Sequence, residues 1–170
     1  GISKADVPIK GKRMLDYLLE DLAAQQITSV TVVAPPSVQL PSGVQRSLED
    51  PPLGGPVAGI AAGLACLRPT KELTLLLSCD APLAARCLPA LADALIHDGA
   101  VAYHEGYRQL LVGLYRTEKL RDAVAPDGQG LRDISVKRAL AGLDLTTCPI
   151  TWLATDLDTL GDVENFAAQL

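Results

Sequence analysis

Asp80 is the residue around which a chemical role first suggests itself. It follows Leu73-Thr74-Leu75-Leu76-Leu77-Ser78-Cys79 and precedes Ala81-Pro82. Five mostly leucine residues giving way to a small residue, a thiol, a carboxylate and a proline predict a strand buried on both faces that ends at an acid. Ligands of open α/β sheets bind at the carboxyl ends of strands. A carboxylate placed there can hold a hard divalent cation against a phosphate-bearing ligand. The competing role is structural, with Asp80 capping the helix that follows the loop. Asp50 is a second acid at a strand end, after a short strand predicted over Val44 to Leu48. The next stretch, Pro51-Pro52-Leu53-Gly54-Gly55-Pro56, is too rich in proline and glycine for regular structure. It feeds a small-residue helix over Val57 to Cys66, so Gly54, Gly55 and the first helical amides can lie against a base, ribose or phosphate. For Gly59 and Gly63, tight packing of helix on sheet accounts for the same residues. Lys4, Lys10 and Lys12 sit in a turn-rich loop before the first helix, where they meet phosphate or are simply solvated. Arg108, Arg132, Lys137 and Arg138 meet a phosphate or a partner protein, or are simply solvated.

Positioning such residues requires a scaffold, and the hydrophobic pattern describes one. Apolar residues from Arg13 to Gln26 recur at three and four, predicting an amphipathic helix, and Ser29 to Ala34 is a β-branched strand ended by Pro35-Pro36. After the leucine strand, a helix is expected over Ala84 to His97 with Gly99 as its cap, then strands over Ala100 to His104 and Gln109 to Tyr115, forming a hairpin at the sheet edge. Helices are expected at Thr117 to Ala125, Leu131 to Leu143 and Asp162 to Leu170, and Leu145 to Leu153 as irregular to extended chain. Strands and helices alternate from residue 13 to about residue 100, which predicts an α/β fold, a doubly wound, mainly parallel, three-layer α/β/α sandwich.

With 170 residues, 48% of them hydrophobic, one domain with a substantial core is expected. The net charge of -5 excludes the broad basic surface that nucleic-acid binding needs. No apolar run reaches membrane-spanning length and no signal peptide precedes the first helix, so no membrane partner is expected. Cys66, Cys79, Cys87 and Cys148 contain no C-x-x-C pair, and with only His97 and His104 beside them a zinc site is not expected. Scattered thiols in apolar surroundings suit a reducing, cytoplasmic compartment.

Four pieces, taken in order, resemble the MobA-like nucleotidyltransferases, above all the molybdenum cofactor guanylyltransferases. They are Lys4 with Val7-Pro8-Ile9 and Gly11-Lys12; Asp50 with Gly55-Pro56-Val57-Ala58-Gly59-Ile60; Ser78-Cys79-Asp80-Ala81-Pro82; and Asp156-Leu157-Asp158-Thr159. The resemblance runs over nearly the whole chain and implies a Rossmann-like sheet of the nucleotide-diphospho-sugar transferase type. It implies an Mg2+-dependent enzyme that transfers GMP from GTP to the phosphate of molybdopterin and releases pyrophosphate. In it, Lys4 contacts phosphate, Asp50 and Gly55 contact the nucleotide, Asp80 is the catalytic acid and magnesium ligand, and Asp158 completes the metal shell. Contact with molybdoenzymes or other cofactor-synthesis proteins is also implied. The alternatives are a related transferase using CTP or a sugar or lactyl phosphate, or a non-catalytic partner-binding domain of the same fold.

The pattern departs from the family at three places. Family members open with a strand and a Leu-Ala-Gly-Gly loop carrying an arginine, which are expected to be missing from residues 1–170. Leu160-Gly161 stands where the family has Pro-Glu, and Gln109-Leu110-Leu111 where it often has Gln-Pro-Leu.

Overall fold

A computed structural model of the chain describes residues 6–150, 157, 161 and 162. Strands β1 (Pro8–Ile9) and β2 (Lys12–Arg13) form a tight antiparallel hairpin. Lys10 and Gly11 at its turn have φ of 48° and 79°, the left-handed pair that a two-residue hairpin loop favours. Helix α1 (Met14–Ala24) buries Met14, Leu15, Leu18 and Leu22, the stripe that its spacing predicts. Strand β3 (Thr31–Val33) pairs in parallel with β4 (Gln45–Ser47), and α2 (Gly55–Cys66) packs on both.

Three contacts fix the direction of α2. Ser47 Oγ donates to Ala62 O at 2.8 Å, Cys66 Sγ to Arg46 O at 3.4 Å, and Arg68 N–H to Gln45 Oε1 at 3.1 Å. As the chain advances from 62 to 68 its partners retreat from 47 to 45, so α2 runs antiparallel to β4. Ser29 Oγ donates to Arg68 O at 2.8 Å, which puts the end of this crossover where β3 begins. Strand β5 (Leu73–Leu77) therefore starts at that edge and runs in the same direction as β3 and β4. The carboxyl ends of β4 and β5 consequently face the same way.

A four-stranded sheet of order β5-β7-β6-β8 contains the remaining strands, β6 (Gly99–His104), β7 (Tyr107–Arg116) and β8 (Leu145–Pro149). Strand β7 is antiparallel to both of its neighbours, while β8 is parallel to β6. The hairpin thus lies inside the sheet rather than at its edge. Val112, Gly113, Leu114 and Tyr115 are all buried, so this part of β7 needs cover on both faces and takes a central place. Residues 145–149, expected as irregular to extended, form the edge strand, where Pro149 at the strand end removes no internal ladder bond.

Three other expectations shift. The helix expected from Ala84 begins as a 3₁₀ turn (Ala84–Cys87) and continues as α3 (Leu88–Ala94), ending before His97. Gly99 starts β6 instead of capping that helix, and a side chain on it would lie 3.0 Å from Leu114 O. After α4 (Thr117–Val124), the helix expected over 131–143 shortens to α5 (Val136–Ala139), capped by Ser135 Oγ, which accepts from Arg138 N–H. Leu131 N–H and Asp133 N–H bond instead to Val124 O and Gly54 O.

Alternating side chains of the sheet divide the core. Ala100, Ala102, Val112, Leu114 and Cys148 face Leu18, Leu22 and Leu91 of α1 and α3. Val101, Tyr115 and Leu145 face Val57, Ile60, Leu64, Leu120 and Val124 of α2 and α4. This is the expected three-layer arrangement, with helices on both faces of a mixed sheet. A cavity of about 900 Å³ separates β3 from β5 and is lined by every residue of Thr31–Val33 and Leu73–Leu77. Among the described residues β3 pairs only with β4 and β5 only with β7, which explains why the leucine strand is half-buried rather than buried. No helix among the described residues is long and apolar enough to cross a membrane.

Candidate active site

Asp80 lies three residues beyond β5 and is half-buried. Its carboxylate accepts a short hydrogen bond from Ser78 Oγ, and its backbone carbonyl accepts from Leu157 N–H at 2.8 Å. Ala81 N–H closes the turn onto Ser78 O at 3.3 Å. The capping role does not fall to Asp80. The following 3₁₀ turn begins at Ala84, its cap is Leu83, and no side chain bonds there. Between Ser78 and Asp80, Cys79 packs towards the Leu15, Val32 and Val38 cluster. Burial, and then the Asp80 charge, push its thiol up to about 11, so it is a neutral wall and not a nucleophile at neutral pH.

Asp50 lies three residues beyond β4 and is exposed. The loop after it is held from three sides. Glu49 Oε1 accepts from Leu53 N–H at 3.0 Å, and Leu53, with φ of 67°, leaves its side chain 91% exposed. Arg132 Nη1 donates to Pro51 O at 2.7 Å and Nη2 to Pro52 O at 3.3 Å. Asp133 N–H donates to Gly54 O at 3.0 Å. Gly54 is buried, and a side chain there would meet the Arg132 guanidinium at 2.6 Å. Gly55 differs: it opens α2 with φ of 83° and has no atom within 4 Å of where a side chain would stand. Only Gly55 of the two therefore presents an open backbone face to a ligand. Gly59 and Gly63 resolve to packing, since side chains on them would meet Val33 at 3.4 and 3.0 Å.

The structure thus brings Asp50 and Gly55 together in one loop and Asp80 and Ser78 in another, at the carboxyl ends of two strands that run the same way. Lys4, Asp158 and all of the last expected helix except Asp162 lie outside the described residues, although Leu157, which docks on Asp80 O, directly precedes Asp158 in sequence. Lys12 is occupied by Glu20 at 2.5 Å and by the Tyr17 ring. Arg13 forks onto Asp16 at 2.7 and 2.9 Å and reaches Asp6 and Gln39 O, both at 2.9 Å. Beside that guanidinium the Asp16 carboxyl is held below its usual range. Among the described residues no three His, Cys, Asp or Glu side chains come together to hold a metal. The sequence gives Ser78 no role and leaves Arg132 open between a ligand contact and a solvated charge. The only signal for Arg132 was its place just past the Pro126-Asp127-Gly128-Gln129-Gly130 turn.

Solved structures share this fold. 2-C-methyl-D-erythritol 4-phosphate cytidylyltransferase from Thermus thermophilus matches with 19% identity and a TM-score of 0.74, over 98% of this chain and 93% of that one. Molybdopterin-guanine dinucleotide biosynthesis protein A from Archaeoglobus fulgidus matches with 15% identity and a TM-score of 0.67, over 100% of this chain and 93% of that one. The cytidylyltransferase from Francisella tularensis gives 13% identity and a TM-score of 0.71, over 99% and 94% of the two chains. Among curated proteins none matches this sequence. The family profile described as MobA-like NTP transferase domain matches residues 1–142. With most of its length matched and its acids at the strand ends, the chain belongs to the MobA-like NTP transferase family of nucleotidyltransferases.

Proposed function

We propose that this nucleotidyltransferase is a molybdenum cofactor guanylyltransferase that moves GMP from GTP to the terminal phosphate of molybdopterin. An acceptor phosphate oxygen attacks the α-phosphorus of GTP, the α–β bridging P–O bond breaks, and pyrophosphate leaves. What supports the reading is that the Asp80 loop and the Asp50–Gly55 loop each follow the carboxyl end of a strand, in a chain matched by the MobA-like profile.

Gly55 offers its open backbone to the nucleotide, Asp50 contacts the guanine nucleotide, and Lys4 offsets charge on the phosphates. Ser78 orients the Asp80 carboxylate. Magnesium is bound by one or two carboxylates together with substrate phosphates, so Asp80 would hold it, with Asp158 as the second carboxylate. The bound ion supplies charge neutralisation across the phosphates. Positioning then accounts for catalysis without a covalent intermediate. The same reading implies a cytoplasmic protein, in keeping with four unpaired cysteines, and contact with molybdoenzymes or other cofactor-synthesis proteins. It also adds a strand and a glycine-rich loop to residues 1–170, and the cavity between β3 and β5 supports that strand.

A second reading, transfer from CTP to a sugar-alcohol phosphate, comes from the cytidylyltransferases among the structural neighbours. Pyrophosphate release, measured with GTP or CTP and with molybdopterin or methylerythritol phosphate, separates the two. Turnover only with GTP and molybdopterin is expected. Turnover with CTP and methylerythritol phosphate would replace the first reading with the second, and none with any pair would overturn both.

A further inference from the structure

We infer that Arg132 is a positioning residue for the loop that presents Asp50 and Gly55 to the nucleotide. The inference deepens the nucleotidyltransferase reading and rests on it for its kinetic consequence, but its structural basis is independent.

The loop of residues 50–55 has little to hold it in place. It contains three prolines and two glycines within Asp50 to Pro56 and no regular backbone pairing before α2. Pro51 and Pro52 have no N–H of their own, so this stretch is held mainly through its carbonyls, which need donors from elsewhere. Arg132 supplies two. Its planar fork reaches Pro51 O at 2.7 Å and Pro52 O at 3.3 Å, and charged donors make stronger hydrogen bonds than neutral ones. The fork sits against Gly54, whose missing side chain leaves room for the guanidinium carbon and one nitrogen, each 2.6 Å from the place a Cβ would occupy. Glycine is thus needed at 54 to admit Arg132, whereas Gly55, with open space around it, faces the ligand side.

The segment bearing Arg132 is itself anchored. Leu131 N–H bonds to Val124 O at 2.8 Å at the end of α4, and Asp133 N–H to Gly54 O at 3.0 Å. Gly130 packs at 2.8 Å against Ala61 of α2, again measured from where its side chain would be. Arg132 therefore transmits a fixed position from α2 and α4 to a loop that the sequence alone leaves loose. Other arginines at this end are spent differently: Arg46 donates to Pro35 O at 2.5 Å and Val38 O at 2.5 Å, and Arg13 serves Asp6, Asp16 and Gln39 O.

A fork and a point charge differ in what they can hold, and that difference gives the test. Arg132→Lys keeps the charge but cannot bridge both carbonyls in the plane over Gly54. Amide hydrogen exchange over residues 49–56 is measured without nucleotide in the wild type, Arg132→Ala and Arg132→Lys. Both variants are expected to exchange about tenfold faster there, with α1 and β6 unchanged. In pyrophosphate-release assays both are expected to raise KM for the nucleotide about tenfold, with kcat within about twofold, because the loop binds rather than reacts. Unchanged exchange at 49–56 in Arg132→Ala would overturn the clamp. Wild-type KM in Arg132→Lys beside a raised KM in Arg132→Ala would show that charge alone matters, and would overturn positioning. If the wild type neither binds nor turns over any nucleotide, the proposed function fails, while the exchange comparison still decides the clamp.

Discussion

The neighbours of Asp80 divide between holding a carboxylate and excluding water. Ser78 Oγ orients the carboxylate and Leu157 N–H ties down its carbonyl, so the acid is held at both ends. Asp80→Ala is expected to lower transfer at least about a hundredfold, since charge stabilisation at a phosphoryl centre is the main contribution available. Far-UV circular dichroism is expected to stay unchanged, because the side chain is half-buried and supports no helix cap. Wild-type turnover in this variant would remove Asp80 from the mechanism. Cys79 gives a different readout. Its thiol, raised to about 11 from an ordinary 9.0 mainly by burial, stays protonated in the folded chain at pH values where the unfolded chain has lost that proton. Burial raises the Cys87 thiol to about 11 as well. Because the folded state binds these protons more tightly, stability is full below about pH 9 and falls as pH rises towards 11. Thermal unfolding followed from pH 8 to 11 checks this. The fall is expected to be shallower in Cys79→Ala, and an identical slope would contradict the burial of that thiol.

Helix α2 shows how much an element can disclose and where its residues stay silent. Its small residues pointed equally to close packing and to ligand contact. Packing prevails at Gly59 and Gly63 because both stand over Val33, and nothing local marks this valine, at the end of a short β-branched strand, as the one that points at them. The distances at the two sites predict opposite outcomes. A side chain at Gly59 would meet Val33 at an ordinary 3.4 Å, so Gly59→Ala gains helix propensity of about 0.8–1.0 kcal/mol with little strain. At Gly63 the contact is 3.0 Å, and crowding of about 1–3 kcal/mol exceeds the same gain. Urea denaturation is expected to show Gly59→Ala as neutral to stabilising and Gly63→Ala as destabilising; equal effects would refute the packing account. The strongly periodic elements were legible for the same reason that α2 was half-legible. The stripe of α1 records burial that local residues decide, and the leucine run of β5 marks the strand although its burial is only partial. The shortening of the helix expected over 131–143 was not legible, because Leu131 and Asp133 spend their amides on Val124 O and Gly54 O, outside that stretch. The strand at 145–149 was half-legible, as irregular to extended chain, because it is the pairing with β6 that makes the stretch regular. At the site, Asp80 and the Asp50–Gly55 loop were visible as strand ends and breakers, while Arg132 was invisible, since no neighbouring residue signals an arginine that folds over a glycine in another loop.

At the scale of the whole molecule, the feature with the largest energetic consequence is the cavity between β3 and β5, whose walls include Leu15, Leu18 and Leu22 of α1 and Ile60 and Leu64 of α2. An unpaired backbone amide beside such apolar walls is unfavourable unless water or another strand satisfies it. The pairing of β3 identifies the amides concerned. Ala34 N–H donates to Ser47 O at 3.0 Å and Gln45 N–H to Val30 O at 2.9 Å, so by alternation Val32 and Ala34 direct their N–H groups at β4. Thr31 and Val33 then direct theirs at the cavity. The same alternation divides β5, whose only partner among the described residues is β7. Hydrogen exchange resolved at single amides is therefore expected to alternate along both strands in the 170-residue chain. Val32 and Ala34 should exchange at least about a hundredfold more slowly than Thr31 and Val33, because opening a cross-strand bond requires local unfolding and exposing a cavity-facing amide does not. Equal, strong protection of all four amides would mean that a further strand closes the cavity in this chain, and the two open edges would then be wrong. Uniformly fast exchange would mean that β3 and β4 do not hold together without such a strand, which would remove the support that α2, and with it the Asp50–Gly55 loop, draws from them.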